Sequence, residues 1–242
     1  MSVVDKATGT RIDEIAPDIF RINTPTREIP GGFSFNQYLI RDDAPLLFHT
    51  GPRKLFGSTV KAVAAAIPVD TLRYVAFSHY EADECGALNE FLAAAPRAVP
   101  VCSSVAAMIA IRDQADREPK ALAHGETLAL GRNTVEWVDA PHLPHGWECG
   151  YLFAREARTL FCGDLFTQPG TGDTAITSSD ILGPSESFRG AMDYFSHTRD
   201  LAALIDRVAG LSPTTLACMH GSAWQGDGAA LLRALGQSLA RA

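Results

Sequence analysis

Four apolar stretches of this 242-residue chain each run into side chains that can hold a metal ion. Val75-Ala76-Phe77-Ser78 leads to His79-Tyr80-Glu81-Ala82-Asp83-Glu84. Val135 to Val138 leads to Asp139-Ala140-Pro141-His142-Leu143-Pro144-His145. Leu160-Phe161-Cys162-Gly163 leads to Asp164, and Leu216-Ala217-Cys218-Met219 leads to His220-Gly221. Taken singly, each has an ordinary explanation: a hydrogen-bonded structural histidine, a turn or cap aspartate, a solvated charge run. Taken together they point elsewhere. Three carboxylates within four residues, directly after a buried strand, repel one another once desolvated. Two divalent cations would compensate them. A set of three histidines and three or four carboxylates without sulfur suits iron or manganese, with zinc as the less favoured alternative.

These side chains need strands to carry them to one edge. Asp18 to Ile22, Phe33 to Ile40 and Pro45 to Phe48 read as strands, separated by Pro30-Gly31-Gly32 and Asp42-Asp43. Ser58 to Ile67 predicts a helix stopped by Pro68. Strand Leu72 to Phe77, helix Gly86 to Ala95, strand Ala98 to Val101 and a helix from Ser103 or Ser104 through Ile111 follow. Thr127 to Leu130 pairs with Thr134 to Val138, and Tyr151 to Phe153 with Thr159 to Phe161. Arg199 to Val208 is an amphipathic helix, Thr214 to Met219 a strand, and Asp227 caps a last helix running almost to Ala242. Strand-rich first, then mixed, with each part ending in helix, this order predicts layered α/β/β/α packing in one domain over residues 1–242. The four strand ends would then converge, as sites in α/β proteins commonly do, and Gly163 and Gly221 would let the backbone pass close.

Composition narrows the function. A hydrophobic fraction of 46% against 20% charged residues describes a globular chain. A net charge of −7 with no basic run excludes a nucleic-acid or anionic-membrane surface. The start, MSVVDKATGTRIDEIAPDIF, carries charge early and no apolar core of a secretory signal, and no stretch is long enough to span a membrane. Cys85, Cys102, Cys149, Cys162 and Cys218 are scattered without CxxC spacing, which argues against a disulfide framework or a cysteine metal site. They read as small buried apolar residues in a reduced cytoplasm.

The strand-end residues resemble the H-x-H-x-D-H motif of the metallo-β-lactamase superfamily, which makes the predicted packing its αββα sandwich. Here Glu81 replaces the second histidine and Glu84 the last. Glutamate at the first of these places resembles the flavodiiron proteins and the oxygen-binding di-iron proteins. Their next histidine stands eighteen intervening residues before an aspartate, and eighteen residues lie between His145 and Asp164. That interval favours His145 over His142, which would then be an outer hydrogen-bond donor or a turn residue. The likeness runs from about Phe20 to His220. Softer echoes are Asn36-Gln37-Tyr38-Leu39-Ile40, His49-Thr50-Gly51-Pro52 where the superfamily often has Asp-Thr-Gly, and Asp193-Tyr194-Phe195.

By this resemblance one iron takes His79, Glu81 and His145, the other Asp83 and His220, and Asp164 bridges them. Glu84 either joins the second ion or hydrogen-bonds near it. The open face would bind dioxygen, nitric oxide or water. No flavodoxin domain and no rubredoxin-like cysteine pair is visible, so electrons would come from an external donor, or from the cofactor of another subunit if the chain forms a homo-oligomer. Tyr194 reads as packed core or as an outer donor to the site. Phe33, Trp147 and the loop from Gln168 to Ile176 are weaker candidates for its walls. Three functions stay open: di-iron oxidoreductase chemistry on dioxygen or nitric oxide, metal-dependent hydrolysis of thioesters, lactones or phosphodiesters, and non-catalytic oxygen sensing. Glu81 favours the first over the second.

Overall fold

The structure, a computed structural model, describes residues 2–241. Its first sheet follows chain order: β1 (Ser2–Asp5), β2 (Thr10–Ala16), β3 (Ile19–Thr26), β4 (Phe33–Ile40), β5 (Leu46–Phe48), β6 (Tyr74–Ala76), β7 (Val99–Ser103) and β8 (Lys120–Leu122). The pairs from β1 to β5 are antiparallel. Those from β5 to β8 are parallel, which requires crossover connections. The crossovers hold α1 (Phe56–Ala64), α2 (Ala82–Cys85), α3 (Leu88–Ala94) and a helical segment after β7. That segment opens as α4 (Ser104–Ala106), widens to a π turn over Ala107–Ile111 and closes as α5 (Arg112–Gln114).

The second sheet has the spatial order β13 (Ile176–Thr177), β15 (Ala223–Gln225), β14 (Thr215–Ala217), β12 (Thr159–Phe161), β11 (Gly150–Ala154), β10 (Thr134–Asp139) and β9 (Thr127–Ala129). Helices α6 (Leu182–Met192), α7 (Leu201–Gly210) and α8 (Gly228–Leu239) cover its outer face.

Continuous apolar strands explain the layering. Successive side chains point to opposite faces, so a strand apolar at every position must be covered on both. In β4 and β5, Leu39 and Leu47 join the cluster under α1 and α3. Their neighbours Tyr38, Ile40, Leu46 and Phe48 join the cluster between the sheets. In the second sheet, Leu160 and Leu216 face α7 and α8, while Phe161 and Ala217 face inward. The result is the expected α/β/β/α sandwich.

Several elements differ from the sequence expectation. β1 and β2 escape it because β2 reads TRIDEIA, with charges between its apolar residues and an irregular register between Glu14 and Ala16. α6 escapes it because LGPSESFRGAM buries only Ser185 and carries Gly and Pro in its first turn, where Pro costs a helix little. The short β8, β13 and β15 carry too few residues to show a period. The helix expected from Ser58 begins at Phe56 and ends at Ala64, and the last helix ends at Leu239. All five cysteines are free and buried. No helix among the described residues is long and apolar enough to cross a membrane.

Candidate metal centre

The strand ends do converge. After β6 the chain passes Phe77 and Ser78 to His79, and Glu81 precedes the single helical turn α2, which holds Asp83 and Glu84. After β10 a turn delivers His145. Asp164 follows β12, and His220 follows β14. The two sheets are stitched together at this edge. Gly150 N–H donates to the Ser78 carbonyl at 2.9 Å, and Asn36 N–H to the Met219 carbonyl at 2.8 Å. The Asn36 amide donates to the Cys218 and Gly221 carbonyls, and the Tyr38 hydroxyl to the Cys218 carbonyl at 2.6 Å. The Asn-Gln-Tyr echo thus has a physical task, holding the end of β14 against β4.

All seven predicted side chains meet there, in two groups that could each hold an ion: His79, Glu81, His145 and Asp164, and Asp83, Glu84 and His220. Asp164 joins them. Its Oδ2 lies 3.5 Å from both His79 Nε2 and His145 Nε2, while its Oδ1 lies 3.2 Å from His220 Nε2. His145 Nε2 is 2.9 Å from His79 Nε2 and 3.2 Å from Glu81 Oε1. His220 Nε2 is 3.4 Å from Asp83 Oδ2. His142 is not among them; it is an exposed turn residue at φ 62.

Every histidine of the cluster turns Nε2 inward and anchors Nδ1 outside. His145 Nδ1 donates to the Tyr194 carbonyl at 2.9 Å, and His220 Nδ1 to the Ser34 carbonyl at 2.8 Å. A carbonyl only accepts, so Nδ1 carries the proton and Nε2 keeps its lone pair, as a metal ligand requires. For His79 the same result follows through two further side chains. The Met219 thioether accepts from His49 Nδ1 at 2.9 Å, which leaves His49 Nε2 as acceptor. That nitrogen takes the Ser78 hydroxyl at 3.0 Å and the Ser78 N–H at 3.3 Å. The Ser78 oxygen then accepts from His79 Nδ1 at 2.9 Å, and His79 Nε2 is free. Burial pushes the His49 pKa down to about 3, so the ring is neutral, as this chain of bonds needs.

Charge and burial divide the carboxylates. The nearness of His145 and then His79 holds Glu81 down at about 2, and its side chain is half exposed. Burial alone would raise Asp164, but its close approach to His220 and the fields of His220, His79 and His145 outweigh burial and lower it. Burial would lower His145 and His220; Glu81 and Asp164, respectively, raise them instead. Glu84 is the opposite case. It is fully buried, and desolvation, then the charges of Asp164 and Asp83, push its pKa well above the ordinary value. Neither of its oxygens, nor Asp164 Oδ1, has a hydrogen-bond partner. Buried polar atoms are rarely left so. Orphaned acceptors facing unprotonated nitrogens fit a pair of cations.

The chain belongs to a known family. A family model described as "ODP family beta lactamase" matches residues 33–221. The anaerobic nitric oxide reductase flavorubredoxin of Pectobacterium carotovorum is 26% identical over 211 residues, covering 83% of this chain and 41% of that protein. The rubredoxin-oxygen oxidoreductase of Megalodesulfovibrio gigas is 28% identical over 141 residues, 57% of this chain and 35% of the relative. The ODP-family chain thus spans about two-fifths of these relatives' length or less. Among solved structures, the metal-soaked Flv1 flavodiiron core from Synechocystis sp. PCC6803 superposes over 96% of this chain and 61% of its own, with a TM-score of 0.82 at 20% identity. The two-sheet fold of the ODP-family chain is that of flavodiiron cores.

The surroundings were less legible than the cluster. Phe33 packs its ring 4.3 Å from His220 and stacks on Phe188 of α6, which forms one wall. Tyr194 touches the site on two sides, through its carbonyl to His145 and its hydroxyl to the Asp164 carbonyl at 3.3 Å, so it belongs to the outer shell of the cluster. Trp147 is 56% exposed and lines a hollow with Pro141, Glu148 and Cys149. The loop from Gln168 packs on Gly32 and Arg21. Sequence reasoning missed Glu148, whose Oε1 accepts from Tyr80 N–H at 3.0 Å and so holds the motif loop. It also missed the work of His49 and Ser78, whose signals were a histidine in the usual aspartate place and a serine directly before His79.

Proposed function

We propose that this chain is a dinuclear iron protein that binds or reduces dioxygen or nitric oxide with electrons from a separate donor. The observation that carries the reading is Asp164, whose two oxygens are divided between two groups of nitrogen and carboxylate ligands that contain no sulfur. One ion would take His79, Glu81 and His145, the other Asp83 and His220, with Asp164 between them. Two relatives are named for reduction of nitric oxide and of oxygen, which supports the same gas chemistry here. Iron bound there would supply the change of valence.

The chain's own residues prepare that chemistry. The anchored Nδ1 atoms hold three imidazoles with Nε2 aimed into the site. Phe33 and Phe188 keep water from the His220 side, while Glu81 stands at the more open one. A carboxylate at position 81 adds negative charge where zinc hydrolases of this fold carry histidine. It therefore favours a redox ion over a Lewis acid for carbonyls.

The test is apoprotein reconstituted anaerobically with ferrous iron, then a pulse of gas, followed by absorption and a gas electrode. Two irons per chain and rapid reoxidation are expected, with sustained consumption only when a donor is added. A stable gas adduct without turnover assigns a sensor or carrier. Stoichiometric zinc after iron-rich growth, no uptake of iron, and efficient cleavage of a thioester or lactone overturn the reading in favour of a hydrolase.

A further inference from the structure

Glu84 stands where the motif that the chain resembles has histidine. Its side chain is fully buried, and neither carboxylate oxygen meets a donor. One oxygen lies 3.8 Å from His79 Nε2, and a ligand atom of Glu84 lies within 4.8 Å of those of Asp83 and His220. The backbone cannot carry it away. Thr50 N–H donates to the Glu84 carbonyl at 2.7 Å, the Thr50 hydroxyl donates to the same oxygen, and Ala87 N–H in turn donates to that hydroxyl at 3.0 Å. A carboxylate held for packing would be better replaced by an apolar side chain, and one held for hydrogen bonding would have a donor. A proton shared with Asp83 and a cation are the partners that remain, and the carboxylate and imidazole grouped with Glu84 fit the cation.

We propose that Glu84 is a ligand of the second metal ion, and that it completes a charge balance that makes the reduced centre favour uncharged ligands over anions. This rests on the dinuclear reading above. With Glu84, each ion has four protein ligands: His79, Glu81, His145 and one oxygen of Asp164, against Asp83, Glu84, His220 and the other oxygen. Four carboxylates then neutralise two divalent ions, since the histidines are uncharged. A neutral centre offers no net Coulomb attraction to an anion such as azide, whereas dioxygen and nitric oxide carry no charge to lose. With a neutral side chain at position 84 the same centre keeps one positive charge.

Cobalt(II) tests this without relying on iron or gas. Wild-type apoprotein is expected to take two cobalt ions per chain. Glu84→Gln should bind the second at least about tenfold more weakly. At saturating cobalt it should bind azide at least about tenfold more tightly, read from the visible bands. Glu84→His, which keeps a ligand and removes the charge, should hold both ions tightly and still bind azide more tightly. Equal affinity for both ions in wild type and Glu84→Gln, unchanged azide binding, or a single ion in wild type overturns the proposal. Failure of the di-iron reading is registered separately, by the iron preference and gas reaction of the unaltered chain.

Discussion

At the scale of single residues, His49 and Ser78 decide which nitrogen of His79 carries its proton, and neither touches the carboxylates of the site. Ser78→Ala removes the acceptor from His79 Nδ1 and leaves the ring free to turn or to change tautomer. Metal affinity should fall roughly 10–100-fold, the usual cost of losing such a partner, with the fold retained; metal titration beside a melting curve checks it, and an unchanged affinity would show that the ring is held by packing alone. Gly163 sits against the same hydroxyl, at φ 50, where a Cβ would come within 2.9 Å of Ser78 Oγ. The candidate ligands were legible because four strand ends together carry side chains that can hold a metal ion, although each alone has an ordinary explanation. Their supports were not. Residues 49 and 78 are brought together by the parallel pairing of β5 and β6, and nothing in local spacing reports which strands become neighbours.

At the scale of elements, Asp42 ties the sandwich at the end opposite the site, beside the bond from Ala44 N–H to the Leu130 carbonyl and the Arg132–Asp18 ion pair. Asp42, in the turn between β4 and β5, accepts from the N–H groups of Arg132 and Asn133 and from the Asn133 amide, in the turn between β9 and β10. Asp42→Ala strands these donors and should cost about 1–3 kcal/mol in urea unfolding. Its acid behaviour has a definite sign. Burial would raise the Asp42 pKa, but the donors from Arg132, Asn133 and Asp43 hold it below the ordinary 3.8. The stabilisation is therefore present above that value and lost as pH falls through the lower folded one. The stability gap between wild type and Asp42→Asn should shrink as pH drops from about 5; a gap that is flat or widens would refute the assignment. Near the site, Gly150→Ala would place a Cβ 2.4 Å from the buried Trp137 ring. Calorimetry should show a loss of roughly 1–3 kcal/mol from overpacking. Elements such as β5 and β11, apolar on both faces, announce themselves in sequence. α6 does not, since it offers the core one buried serine and gives Phe188 to the site wall.

At the scale of the molecule, the site draws on both sheets, with His79 to Glu84 following β6 of one and His145, Asp164 and His220 following strands of the other. Ions held there stabilise the folded chain by mass action, about 2.7 kcal/mol each at a hundredfold excess over Kd. Removing them with a chelator should lower the melting temperature, and a melting temperature indifferent to metal would mean that the four carboxylates are not relieved by cations. The layer order was readable from the run of elements, because two-faced apolar strands admit few packings. The edge strands β1, β8 and β13 were not, because they are short or charged, whereas β9 at the remaining edge was. Asp42 and the centre lie at opposite ends of the strands, and this gives the fold a hinge and a clasp. Without metal, the acidic side chains of the clasp lose their partner while the hinge stays shut. Breathing of the apoprotein should therefore be lopsided: amides of residues 76–79, 150–152 and 217–220 should exchange their hydrogens sooner than those of residues 130–134, and metal should slow the first group alone.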